Sequence, residues 1–236
     1  MAVLFVSGTG TGVGKTVVTA ALAALALDRG GRCAVVKPAQ TGVPSGADGD
    51  LAEVARLSGS VDLHELVRYP DPLSPAAAAR SSRSRTLDPA ALMDAVLRLA
   101  DRDLVLVEGA GGLLVRYDED GLTLADLARS LRAPVLVVTE PGLGTLNSTA
   151  LTLEAMAHRG LELAGVVVGA WPARPGLAER SNLRDLQTLA ARPLSGAMPA
   201  GAARLSRPAF LTAARTGLAP HLGGSFDPAT LGPSYP

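Results

Sequence analysis

Gly8-Thr9-Gly10-Thr11-Gly12-Val13-Gly14-Lys15-Thr16 decides the fold of this chain. An apolar run, Ala2-Val3-Leu4-Phe5-Val6, precedes it, and Val17-Val18-Thr19-Ala20-Ala21-Leu22 follows. That order predicts a buried strand, a glycine loop and a helix. Four glycines in seven residues let the backbone bend so that successive N–H groups converge on an anion. The helix start adds its partial positive charge at the same point. In such a loop Lys15 reaches the β- and γ-phosphates of a nucleotide, and the Thr16 hydroxyl ligates Mg²⁺. The nucleotide-binding run is thus Gly12, Val13, Gly14, Lys15 and Thr16, with Val17 beside it. The spacing departs by one residue from Gly-x-x-x-x-Gly-Lys-Thr, because Thr9 stands where the first glycine belongs.

The 236 residues are enough for one large domain with a sizeable core. A net charge of zero gives no electrostatic footprint for nucleic acid or an anionic membrane. The single cysteine, Cys33, lies in an apolar run and has no partner for an internal disulfide, which suits a reducing compartment. The longest apolar stretch, about Val17 to Leu27, is too short to span a bilayer. No basic segment precedes Val3 as a signal peptide would require, so a cytoplasmic protein is expected.

Arginine outnumbers lysine by twenty to two, and the two lysines are Lys15 and Lys37. A GC-rich genome replaces lysine wherever a generic positive charge suffices. Arginine's planar fork cannot replace a compact point charge on a crowded phosphate, so the surviving lysines mark candidate sites.

Further apolar runs recur at Cys33–Val36, ending at Lys37-Pro38, at Leu104–Val107, ending at Glu108, and at Pro134–Val138. Others lie at Ala164–Val168 and at Pro193–Gly196. Helical patterns separate them, at about Asp50–Leu57, Asp88–Leu99, Thr123–Leu131, Thr145–His158 and Leu177–Ala191. Ser74 precedes Pro75 as a helix cap would. Thr41 to Gly49 reads as a loop, and Tyr117-Asp118-Glu119-Asp120-Gly121 as a solvated turn. Apolar runs without alternation, each followed by a helix, predict one doubly wound, mainly parallel α/β sheet over residues 1–222. Residues 223–236, rich in Pro and Gly, read as a poorly ordered tail. Ligands of such sheets sit at the carboxyl ends of the strands. The glycine loop, Lys37, Glu108 and Gly142-Leu143-Gly144-Thr145 all fall there.

Glu108 ends a buried strand, where an unmatched carboxylate costs several kcal/mol. A hydrated Mg²⁺ shared with phosphates matches it. Asp50 is open to two readings, since the Asp48-Gly49-Asp50 cluster can cap a helix or hold a magnesium water. His64, His158 and His221 are scattered, without metal-ligand spacing.

Four motifs together resemble dethiobiotin synthetase: the glycine loop, Lys37-Pro38-Ala39-Gln40-Thr41-Gly42, Glu108-Gly109-Ala110-Gly111-Gly112 and Gly142-Leu143-Gly144-Thr145-Leu146-Asn147. The resemblance covers about Val3 to Gly201. It implies the joining of CO₂ to 7,8-diaminononanoate with ATP and Mg²⁺. One amine forms a carbamate, the carbamate attacks the γ-phosphate, and the second amine closes the ring. By the same resemblance Lys15, Lys37 and Thr11 are catalytic, and Thr16, Asp50 and Glu108 hold Mg²⁺. Thr11 and Thr41 would bond substrate or phosphate oxygens. It further implies a homodimer in which the helix start at Gly142–Asn147 binds the substrate carboxylate of the neighbouring subunit. Where the family often has an adenine-reading Asn, this chain has Gly169-Ala170-Trp171-Pro172. If Trp171 lines the base pocket, stacking makes base selectivity weak. If it points into the core, backbone near Pro199-Ala200-Gly201 reads the base instead.

Partitioning and site-selection ATPases share this loop type, but they carry an additional lysine early in it. Gly8 to Gly14 has none. An amide-forming synthetase would need an ammonia source, for which this length leaves no domain.

Overall fold

The computed structural model describes residues 1–231 and contains one parallel sheet with helices on both faces. Its strands are β1 (Ala2–Gly8), β2 (Cys33–Gln40), β3 (Asp62–Arg68), β4 (Leu104–Glu108), β5 (Val135–Thr139), β6 (Leu163–Trp171) and β7 (Gly196–Pro199). They lie in the order β3-β2-β4-β1-β5-β6-β7, and every neighbouring pair is parallel. The helices are α1 (Lys15–Asp28), α2 (Asp50–Ser58), α3 (Pro75–Ser82), α4 (Pro89–Arg98), α5 (Leu124–Ser130), α6 (Thr145–His158), α7 (Leu177–Ala190) and α8 (Arg207–Gly217).

Each of the five inner strands sends alternate residues to two cores. Phe5, Val36, Val107, Val137 and Val168 face α3 to α7. Val6, Val35, Leu106, Leu136 and Val167 face α1, α2 and α8. Covered on both sides, the strands need apolar residues at every position, which is why their sequences do not alternate. Helix α1 is buried from Val18 to Leu25 because the sheet, α2 and α8 surround it. An apolar character on all sides fits that position.

The sequence reading differs from the structure in several places, each with a physical reason. Strand β3 gives no apolar run because it is an edge strand: it pairs only with β2 and none of its residues is fully buried. Helix α8 lies in a stretch of small residues, and Pro208 resembles a breaker while in fact sitting in the helix's first turn, where proline is tolerated. Phe210 and Ala214 pack under it against α1. Strand β2 runs on through Pro38 to Gln40, since β4 pairs with it only as far as Val36 and no ladder bond is lost on that side. Strand β7 begins at Gly196 and reaches Pro199, later than the Pro193–Gly196 run suggests.

Tyr117 is not part of a solvated turn: it is fully buried in the core beside Leu113 and Leu124. The segment after residue 222 starts by packing, with Phe226 buried and its N–H donating to the Leu218 carbonyl at 2.9 Å. A short 3-10 turn, Pro228–Leu231, follows. The rest of the expected tail, residues 232–236, lies outside the described residues. Among the described residues no helix is long and apolar enough to cross a membrane.

If α8 covers α1 as described, Phe210→Ala lowers unfolding free energy by about 3 to 5 kcal/mol. Urea denaturation reads the change, and a loss below about 1 kcal/mol would deny α8 that role.

Candidate active site

Strand β1 is central, and the loop leaving it turns back over the sheet before α1 begins. The turn depends on close backbone approach. Gly14 has φ 99°, and a Cβ on it would stand 2.8 Å from the Gly169 carbonyl oxygen. A Cβ on Gly169 would fall on the Val13 carbonyl. The loop is thereby seated against the end of β6. Thr9 occupies the departing position without strain: its N–H donates to the Val138 carbonyl at 2.9 Å and its hydroxyl lies 3.4 Å from that of Thr139.

Lys15 opens α1 and is buried, with Nζ donating to the Gly10 carbonyl at 2.7 Å. Burial, reinforced by the nearby Lys37 ammonium, lowers its pKa to about 8. Thr16 follows, and its hydroxyl donates to Glu108 Oε1 at 2.9 Å.

Lys37, on β2, is 2% exposed and reaches Asp50 Oδ2 at 2.5 Å, Glu108 Oε1 at 2.8 Å and the Gly109 carbonyl at 3.4 Å. Burial alone would pull its pKa down, but the Glu108 and Asp50 carboxylates outweigh that and hold it well above the usual lysine value. Asp50 is the first residue of α2 and does not cap it: Gly49 is the N-cap, and the Asp50 carboxylate goes to Lys37. Asp48 is exposed and faces Arg68 instead of the cavity.

Glu108 has no exposed surface. Its Oε1 receives Lys37 and Thr16, while Oε2 is buried without a hydrogen-bond partner. An unpaired carboxylate oxygen in the interior is costly, so this atom asks for a cation. Two ammonium groups and two carboxylates leave the cluster neutral, and an entering triphosphate therefore has to bring its own counter-ion. Among the described residues no group of three His, Cys, Asp or Glu closes a metal cage. Glu108, Thr16 and Asp50 offer hard oxygen donors, and Mg²⁺ characteristically completes such a set with phosphate oxygens and water. The residues fit that ion.

A cavity of about 700 Å³ joins these groups, lined by Thr11, Gly12, Gly14, Lys15, Thr16, Lys37, Gln40, Thr41, Asp50 and Glu108 on its polar side and reached also by Val17. Pro72, Leu73 and Val115 supply an apolar wall. Val13 turns its side chain into the core, 4% exposed, which leaves only its backbone to a ligand. Trp171 does not line the cavity; its half-buried side chain packs against the core beneath α3 to α7.

Two further residues, Tyr117 and Gln40, shape the site. Tyr117 Oη accepts the Ala110 N–H at 2.9 Å and so anchors the glycine loop after β4. Burial raises its pKa, which keeps the phenol neutral. Gln40, 4% exposed, accepts the Asp50 N–H. Their roles are not legible in the sequence, because an ordinary core tyrosine or strand glutamine looks the same.

The Gly142–Asn147 segment stands apart from that cavity. Helix α6 starts there on Gly144, at φ 90°, with no side-chain cap. Thr145 spends its hydroxyl on Thr139, at 2.7 Å, and does not cap the helix. Leu143 is 89% exposed just before it. A second hollow, of about 370 Å³, runs between residues Gly112–Val115 and α6.

A family model described as an AAA domain matches residues 2–204. The ATP-dependent dethiobiotin synthetase BioD of Parafrankia sp. (strain EAN1pec) is 65% identical over 236 residues, covering 100% of this chain and 99% of that protein. The protein of the same name from Frankia casuarinae is 67% identical, over 96% and 95% of the two chains. That from Streptomyces coelicolor is 54% identical over 98% of each. Among solved structures, the MinC:MinD cell division protein complex of Aquifex aeolicus gives a TM-score of 0.57 at 14% identity, over 96% of this chain and 98% of that one. A ParA family ATPase from Chlorobium tepidum gives 0.54 at 17%, over 94% and 95%. At those identities the two structures speak for the fold alone.

The depressed pKa of Lys15 gives nucleotide binding a pH signature. If phosphates hold the ammonium form of Lys15, binding raises its pKa from about 8 and takes up a proton at and above that pH. Affinity for ATP stays level below the Lys15 pKa and falls by up to about tenfold per unit above it. Calorimetry at pH 8.5 in two buffers of different ionisation enthalpy reads the uptake. Binding without proton uptake would contradict the contact.

Proposed function

The chain belongs to the ATP-dependent dethiobiotin synthetase family, the ligases of biotin biosynthesis, and we propose that its cavity carries out the ring closure as follows. One amine of 7,8-diaminononanoate attacks the carbon of CO₂ and loses a proton, leaving a carbamate. A carbamate oxygen attacks the γ-phosphorus of ATP, and the bond to the β-phosphate oxygen breaks to release ADP. The second amine then attacks the carbonyl carbon of the mixed anhydride, and its C–O bond breaks to release phosphate and close the ureido ring. Both displacements crowd anions together, so charge neutralisation matters more than proton transfer.

Lys15 leaves the Gly10 carbonyl to hold the phosphates, and Gly12, Gly14 and the backbone of Val13 cradle them. Lys37 faces the carbamate and the transferring phosphoryl group. Thr11 and Thr41, which line the cavity, bond substrate or phosphate oxygens, and Leu73 and Val115 cover the aliphatic chain. Thr16, Glu108 and Asp50 would hold Mg²⁺, which supplies charge neutralisation at the phosphate oxygens. The observation that carries this reading is Glu108, with one oxygen engaged by Lys37 and Thr16 and the other buried without a partner.

The uncapped start of α6 supports a homodimer. It offers free N–H groups suited to a carboxylate, yet it lies outside the chain's own cavity. Exposed Leu114, Leu143 and Leu151 surround it and favour cover by a second copy. The substrate carboxylate of one subunit would then rest on the α6 start of the other. A cytoplasmic location fits the buried free thiol of Cys33.

Three measurements test the proposal. Phosphate release should require both diaminononanoate and a CO₂ source, and release that ignores either would refute the reaction. Lys37→Arg should fold normally but turn over about a hundredfold more slowly, because a planar fork cannot occupy a point-charge site; near-normal turnover would remove Lys37 from the reacting atoms. Sedimentation at assay concentration should give a dimer, and a fully active monomer would exclude the shared carboxylate site.

A further inference from the structure

Helix α2 begins without a cap of its own. Gly49, at its N-cap position, has no side chain, and the Asp50 N–H donates to Gln40 Oε1 at 2.9 Å instead. Gln40 ends β2, buried, and its Nε2 donates to the Thr41 carbonyl at 3.2 Å. Asp50 is thus gripped twice from one strand, its backbone by Gln40 and its carboxylate by Lys37. Gly49 makes room for the arrangement. A Cβ there would stand 2.8 Å from Gln40 Oε1 and 3.0 Å from Cδ. Its φ of −109° and ψ of −167° are open to any residue, so the amide's position, not the backbone, asks for glycine.

The neutral amide has a further consequence. An Asp at the N-cap would instead cap the N–H of Leu51 or Ala52, but it would set a third carboxylate beside Asp50 and Glu108. Gln40 caps the helix while leaving the charge balance around Lys37 unchanged.

We propose that Gln40 is a positioning residue for the reaction. It fixes where the Asp50 carboxylate stands and, through that carboxylate, where the Lys37 ammonium meets the reacting anions. The inference rests on the reading that Lys37 acts on those anions.

A double-mutant cycle between Gln40→Met and Asp50→Asn tests it, with Gly49→Ala as an independent route to the same amide. Gln40→Met should lower kcat by about tenfold or more while KM for ATP moves by less than about threefold. In the Asp50→Asn background the same change should cost less than about threefold, because its target is already gone. Gly49→Ala should displace the amide and lower kcat in the otherwise native chain, with no further loss added to Gln40→Met. It decides the matter if Gln40→Met fails to fold. Wild-type kcat in both Gln40→Met and Gly49→Ala, or equal losses from Gln40→Met in the two backgrounds, would overturn the proposal. Wild-type turnover in Asp50→Asn would instead overturn the reading of the Lys37 site, and this inference with it.

Discussion

The Lys37–Glu108 pair is the interaction on which the rest of the site depends. Its two charges are 3% and 0% exposed and 2.8 Å apart, inside a sheet whose neighbouring positions are apolar. Removing one partner of such a pair commonly costs about 3 to 5 kcal/mol, because the other is left buried and unpaired. Asp50 joins from α2 and Thr16 from α1, so four elements converge on two charges. The fold supplies that convergence by placing β4 between β1 and β2. Each strand then delivers one part of the site at its carboxyl end: the glycine loop, Glu108 and Lys37.

Rigidity around this centre comes from contacts between backbones and small groups. Gly14 and Gly169 meet without side chains between them, which seats the phosphate loop against β6. Tyr117 holds the Ala110 N–H from within the core. Thr139, buried at the end of β5, shares its hydroxyl with Thr145 and Thr149 of α6 and lies near Thr9 of the loop. These contacts leave little freedom for the charged groups before a nucleotide arrives. Catalysis that works by neutralising developing charge benefits from such preorganisation.

Much of this was legible in the sequence because the signals are local. A glycine loop between an apolar strand and an apolar helix, and two lysines kept among twenty arginines, point to Lys15 and Lys37 without any structure. Glu108 stands out as a carboxylate at the end of an apolar run. The rest depends on tertiary neighbours. Strand β3 is half-covered and therefore mixed in composition, and α8 is built of small residues whose burial only α1 explains. Tyr117 sits among acidic residues that suggest solvent, yet its own side chain is drawn into the core. Asp50 reads in sequence as either a helix cap or a holder of a magnesium water, and only the fold shows its carboxylate on Lys37 and its N–H on Gln40.

If Lys37 and its carboxylate partners hold a carbamate beside the γ-phosphate, a carbamate oxygen joins phosphorus. Turnover with CO₂ labelled with oxygen-18 in both positions tests this most directly, with the released phosphate analysed by mass. Each released phosphate should then carry one labelled oxygen, the other remaining in the ureido carbonyl of the product. Unlabelled phosphate would mean that water, not carbamate, takes the phosphoryl group, and would contradict the account.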